Sequence, residues 1–140
     1  MAYATLADMV AAFGEDEMLV LADRDDDGVA DPAVIESAQA RAASLIESYL
    51  ASRYAVPLAT VPAAVAGLAA DIQRYFLYDN EAPDRVKELF DAAVLWLRDA
   101  AAGKVQLNLP APAGSPGGFA GSAGYLAPER VFSGSMLAGF

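Results

Sequence analysis

The densest set of chemically capable side chains in this sequence is the run Asp23-Arg24-Asp25-Asp26-Asp27-Gly28-Val29-Ala30-Asp31. It places carboxylates at positions 1, 3, 5 and 9, and glycine at position 6, of a twelve-residue calcium-loop pattern. Hard oxygen donors at alternate positions around a turning glycine can surround Ca²⁺. The pattern breaks at position 12, where a bidentate Glu is needed and Val34 stands, with Glu36 two residues late. Two readings follow. In one, Asp23, Asp25, Asp27 and Asp31 hold Ca²⁺ weakly, as the metal-ligating set of a calcium-dependent protein-binding module. In the other, which is favoured, the run is a solvated acidic turn in which Gly28 makes a tight bend and Asp31 caps the next helix.

The remaining chemistry is sparse. With no cysteine and no histidine, the chain lacks disulfides, thiolate metal sites, the commonest general base and the commonest zinc ligand. No glycine-rich phosphate loop ends in lysine, and the carboxylates stand mainly where water reaches them, so no catalytic residue is assigned and an enzyme is not expected. Asp71 with Arg74 and Arg85 with Glu88 stand three apart at helical spacing and read first as surface ion pairs. Asp71 and Arg74 are the better candidates for a contact because aromatics follow them. Arg53-Tyr54 before Val56-Pro57-Leu58 reads as a device that fixes a helix crossing rather than a partner site. A formal net charge of -10 disfavours tight binding to nucleic-acid phosphates. It also motivates a DNA-mimicking inhibitor, but the acids do not form a regular array: residues 1–31 hold nine of them against Arg24 alone.

The elements that carry these residues are helical. Thr5 with Asp8 is an N-cap with a reciprocal partner, and Leu6, Met9, Val10 and Phe13 recur at helical spacing before Gly14. Glu15 to Leu21 is a second short helix with its acids at the dipole-favoured N-terminus. Asp31-Pro32 opens a long helix to about Tyr54, with Val34, Ile35, Ala38, Ala42, Leu45, Ile46, Tyr49 and Leu50 on one face. Val56-Pro57-Leu58 is extended, and Thr60 with Pro62 starts a helix to about Tyr78. Asp84 caps a last helix, which Gly103 ends. Val105 to Leu109 then alternates apolar and polar, as a short strand or an extended segment docking on a neighbour would. The expected fold is all-α, a small bundle of four to five helices with a short extended segment. No basic leader or membrane span is expected, so the chain should fold in the cytoplasm.

The division is residues 1–109, a helical domain, and 110–140, a flexible C-terminal arm. The arm holds seven of the eleven glycines and four of the eight prolines, too many to repay the entropy of ordering by internal packing. It nonetheless carries Phe119, Tyr125, Leu126, Val131, Phe132, Met136, Leu137 and Phe140, which an inert linker would avoid, so these are candidate partner-binding residues. Extended at about 3.3 Å per residue, the arm reaches on the order of 100 Å, past its own domain and onto other subunits.

Collinear with these elements runs an ordered set of short motifs. They are Tyr3-Ala4-Thr5 with Asp8 and Phe13-Gly14, Asp23-Arg24 with Gly28 and Asp31, and Tyr49-Leu50 with Arg53-Tyr54 and Pro57-Leu58. Next come Val61-Pro62, Asp71-Ile72, Arg74-Tyr75 and Leu77-Tyr78, then Trp96-Leu97, Ala101 and Gly103-Lys104, with Arg130, Phe132 and Met136 near the end. In this order the sequence resembles the Mu-type phage neck protein family, closely to about residue 109 and more loosely in the arm, where the Ala/Gly/Pro stretch 110–124 departs from the usual pattern. The resemblance implies a head-to-tail connector adaptor of long-tailed phages, a virion protein of the neck made in the host cytoplasm. Its partners would be the portal protein, neighbouring copies of itself in a ring of about twelve, and a downstream neck or tail protein. Genome DNA would pass through without tight binding, and no membrane is involved. An acidic surface suits such a channel, and an apolar arm suits linkage by strand addition or pocket insertion.

Overall fold

The computed structural model describes residues 2–112. Among them the order is α1 (Leu6–Phe13), α2 (Glu15–Ala22), α3 (Pro32–Leu50), α4 (Ala63–Leu77) and α5 (Asp84–Ala101), with no strand. The all-α expectation is met, and the candidate partner-binding residues from Phe119 to Phe140 lie outside the described residues.

Local chemistry sets the helix starts. At α1 the Asp8 amide donates to Thr5 Oγ1 at 3.2 Å while the Thr5 amide donates to Asp8 Oδ2 at 2.7 Å, the reciprocal cap expected from the sequence. A single residue, Gly14, separates α1 from α2, at φ 95° and ψ 152°, a region essentially confined to glycine. The expectation that Asp31 and Asp84 cap α3 and α5 through their side chains is not met. Asp31 occupies the cap position of α3 but its carboxylate is turned to the Arg24 amide, and Pro83, not Asp84, precedes α5. Asp84 is the first residue of α5, where its charge still favours the positive end of the helix dipole.

Helices α3, α4 and α5 pack on one another as a three-helix bundle, with α1 against α4 and α2 against α1. The inward stripes are Ile35, Ala38, Ala42, Ile46 and Leu50 on α3, Val65, Ala69 and Ile72 on α4, and Val86, Ala93, Leu97 and Ala100 on α5. Burying each branched side chain contributes about 1.5–3 kcal/mol, and the interleaved alanines let the axes approach closely. Met9, Met18 and Ala22 continue the core beneath α1 and α2.

The chain after α5 folds back on its own domain. Gly103 turns it at φ 82°, and Val105, Leu107 and Leu109 pack against the core while Gln106 and Asn108 stay exposed. The alternation expected of a strand is therefore an extended segment without a ladder. Its backbone is held instead by the Leu107 amide donating to the Tyr54 hydroxyl at 3.0 Å and the Ala55 amide donating to the Pro110 carbonyl at 3.0 Å. Its anchor is this domain's own α3–α4 corner, and the docked stretch runs through Pro110.

Candidate functional site

The acidic loop between α2 and α3 brings three of its four candidate ligands together. Carboxylate oxygens of Asp23, Asp25 and Asp27 lie within 4.8 Å of one another, and Asp31 is not among them. The loop consumes much of its own oxygen capacity. Asp23 Oδ2 accepts from the Gly28 amide at 2.8 Å, Asp23 Oδ1 from the Asp27 amide at 3.2 Å, Asp27 Oδ1 from the Val29 amide at 2.8 Å, and Asp31 Oδ2 from the Arg24 amide at 2.8 Å. Burial works against the Asp23 charge, but the amides of Gly28, Asp27 and Asp26 outweigh it and hold the pKa below the usual carboxylate value. Asp25 is pushed up, first by partial desolvation and then by the charges of Asp27 and Asp31. Calcium takes six to eight oxygens. Here the ninth position accepts a backbone amide and the twelfth is Val34 on α3, which leaves Asp23, Asp25 and Asp27 as the candidate ligands that stand together. The geometry is that of an acidic turn bent at Asp26 (φ 61°) and Gly28 (φ 85°) and closed by its own backbone.

The paired charges on the helices are rearranged relative to the spacing seen in sequence. Arg74 does not pair with Asp71. Its guanidinium reaches α2, with Nε 2.7 Å and Nη2 2.6 Å from Glu17 Oε1, and its Cζ lies 4.4 Å from the Phe13 ring centroid. One side chain thus ties α4 to both α1 and α2. Arg85 and Glu88 do approach, at 3.6 Å, with both side chains about 70 % exposed, where such a pair contributes little. Arg53 lies over Gly103, where a Cβ would meet its Nη1 at 2.7 Å. Together with Tyr54, which holds Leu107, this corner fixes the fold, as its residue types suggested. Tyr3 adds a second long-range tie: its hydroxyl donates to Glu47 Oε1 at 2.7 Å and accepts from the Leu58 amide at 3.2 Å. Burial, and then the bond to Glu47, push its pKa up to about 12.

One surface feature was not visible in the sequence. Arg41 of α3 stands over Phe76 of α4, Cζ to ring centroid 4.2 Å, and Phe76 in turn meets Tyr75 and Phe90 edge-on. Tyr75 and Phe90 stack with centroids 4.1 Å apart. Three hollows of about 400, 520 and 310 Å³ share Arg41 and Phe76 in their walls and together form a groove along this face. The first is flanked by Lys87, which pairs with Glu81 at 3.2 Å, and the third by Arg24, whose guanidinium grips Asp79 with Nη2 to Oδ1 at 2.9 Å. Helical periodicity placed Arg41 off the core face of α3 and Phe76 on the core face of α4, but nothing local tells which residues of two helices 35 positions apart will meet.

The polar contacts of the body mostly tie its own elements together, and one face carries a cationic and aromatic groove. The phage protein family described as "Bacteriophage Mu, Gp36" matches residues 3–120. The chain belongs to this family. Among its relatives, "Gene product J" of Escherichia phage Mu is 30 % identical over 105 residues, which is 74 % of each chain. The "Mu-like prophage FluMu protein gp36" of Haemophilus influenzae is 37 % identical over 79 residues, and the chain spans 56 % of that relative's length. The family match covers the whole described body, including α1, the acidic loop, the Arg41–Phe76 groove and the docked segment after α5. The resemblance to Mu-type phage proteins read from ordered short motifs is therefore upheld.

Proposed function

We propose that this chain is a virion structural protein, a head-to-tail connector adaptor that forms a ring beneath the portal and links the capsid to the next neck or tail component. The observation that supports this reading is the family match over residues 3–120, which takes in every helix of the body. The fold is consistent with a structural part. Its one buried polar side chain among the described residues, Gln73, donates to the Ala4 carbonyl at 3.1 Å and so ties α4 to the N-terminal segment, while its Oε1 is buried without a partner. In this role the portal is the upstream partner, neighbouring copies complete a ring of about twelve, and the residues after Pro112 supply apolar anchors to those neighbours. Nine acids against one base in residues 1–31 leave a surface that repels passing DNA where it faces the channel.

The test is truncation after Pro112, which keeps the segment docked on Tyr54 and Ala55. The shortened chain should retain its helical circular dichroism while head-to-tail joining in particles falls sharply. Normal joining by the truncated chain would defeat the role given to the apolar residues. A particle reconstruction showing this chain away from the portal-proximal neck would defeat the adaptor reading itself.

A further inference from the structure

The Arg41–Phe76 groove has an occupant suggested by its charge. Acids outnumber bases 19 to 9 in this chain, yet Arg41 is exposed and has no carboxylate within ion-pair distance among the described residues. Arg24, Arg74, Arg85, Lys87 and Lys104 all have one. Arg53 and Arg98 share the lack, but Arg53 is folded over Gly103, and of the three only Arg41 is held against an aromatic ring where three hollows meet. A guanidinium set on a ring, beside a hollow walled by Ala40, Leu45 and Phe76, is a receptor for an acidic side chain next to an apolar one.

The outer face of α2 has that composition. Met18 and Ala22 turn into the core, which leaves Val20 pointing outward and 82 % exposed, with exposed Asp16 one turn before it on the same face. Helix α2 adjoins the groove, since Tyr78 in its wall donates to Glu17 at 3.4 Å and Arg24 in its wall closely follows the helix, yet within the chain Asp16 makes no ion pair with Arg41. The groove is thus left open to the same face of a second copy.

We infer that the groove receives the outer face of α2 from a second copy, with Asp16 meeting Arg41 and Val20 covering the edge of Phe76. The contact is head-to-tail, the kind that closes rings when the rotation between copies is right. It rests on the ring reading above for its biological setting, though not for its chemistry. A two-turn helix covers less than the roughly 800 Å² per partner of a standard interface, so this contact alone is weak in free solution and best captured covalently.

Because the natural chain has no cysteine, introduced ones are unambiguous. In the full chain, Val20→Cys with Ser44→Cys, a groove residue on α3, should give a ladder of linked species with a short bis-maleimide. A control pairing Val20→Cys with Ser52→Cys, exposed beyond the end of α3, should give little. Adding Arg41→Glu or Asp16→Arg to the Val20/Ser44 pair should lower the yield at least about tenfold, since like charges then face each other. Adding both together should restore it. Circular dichroism checks that each variant remains helical.

Equal ladders from the Val20/Ser44 and control pairs, or no loss on charge reversal, would overturn the inference. Rings on purified heads that persist with Arg41→Glu would overturn this surface while leaving the ring reading intact. Absence of any ring from the native neck, with the charge-sensitive ladder present, would defeat the ring reading and leave the self-contact standing.

Discussion

Between α3, α4 and α5 lie fully buried Ile46, Leu50, Val65, Ile72, Val86 and Leu97, with Ala42, Ala69, Ala93 and Ala100 filling the close approaches. Beneath α1 and α2 the fully buried large side chains are Met9 and Met18, and the pair is fastened to the rest by polar ties: Glu17 to Arg74, Tyr3 to Glu47, and the Ala4 carbonyl to Gln39 and Gln73. The bundle is thus held by area removed from water, and the N-terminal region by a few directional contacts over an adaptable methionine layer. Regions of the second kind open at lower free energy than the core.

Leu97→Ala should have the largest effect, about 2–5 kcal/mol off global stability in urea unfolding, because it leaves a cavity at the centre of the bundle. If only local protection near α5 fell while the unfolding midpoint held, the bundle would not be the cooperative unit. Arg74→Met, which keeps much of the stem but leaves Glu17 half-buried without its cation, should cost about 1.5–3 kcal/mol. Hydrogen exchange should show the loss first in α1 and α2; equal loss across α3 to α5 would erase the contrast between the two regions.

Tyr3→Phe removes one donor and one acceptor and should cost about 1 kcal/mol. Tyr3 also sets an alkaline limit. With its folded pKa raised from 10.0 to about 12, its contribution is complete below pH 10 and is lost as the pH rises through about 12. Stability measured across that window should fall in the natural chain and fall less in Tyr3→Phe. Asp71→Asn should be the smallest effect and of opposite sign. Burial raises the Asp71 pKa, with Arg74 and Arg85 offsetting only part, so its charged form subtracts from stability at neutral pH. The substitution should raise the unfolding free energy by no more than about 0.5 kcal/mol, with the gain vanishing as the pH falls through the raised pKa of Asp71.

What was legible beforehand was what local chemistry controls. Thr5 and Asp8 cap each other three residues apart, Gly14 and Gly103 sit where only a glycine-tolerant backbone fits, and the stripes from Ile35 to Leu50 and from Val65 to Ile72 follow helical period. The acidic loop was legible as a turn around Gly28, but not the use of Asp31, because a carboxylate beside a helix start can cap that helix or reach back to Arg24, and the path of the whole loop decides between them. Asp71 and Arg74 looked like partners for the same reason: spacing along one helix shows which side chains share a face and not what lies opposite that face.

The sequence by itself determined a bundle of four to five helices, the Thr5–Asp8 cap and the glycine turns, the stripes that must be buried, and through the order of its motifs the phage family to which the chain belongs. Tertiary structure alone decided that Arg74 would reach Glu17 57 positions away, that Tyr54 would hold Leu107, and that Arg41 would settle on Phe76 at the centre of a groove. The physical reason is that helix formation and capping depend on neighbours within about four residues, whereas a groove or a cross-helix ion pair exists only once packing has chosen which faces meet and in what register.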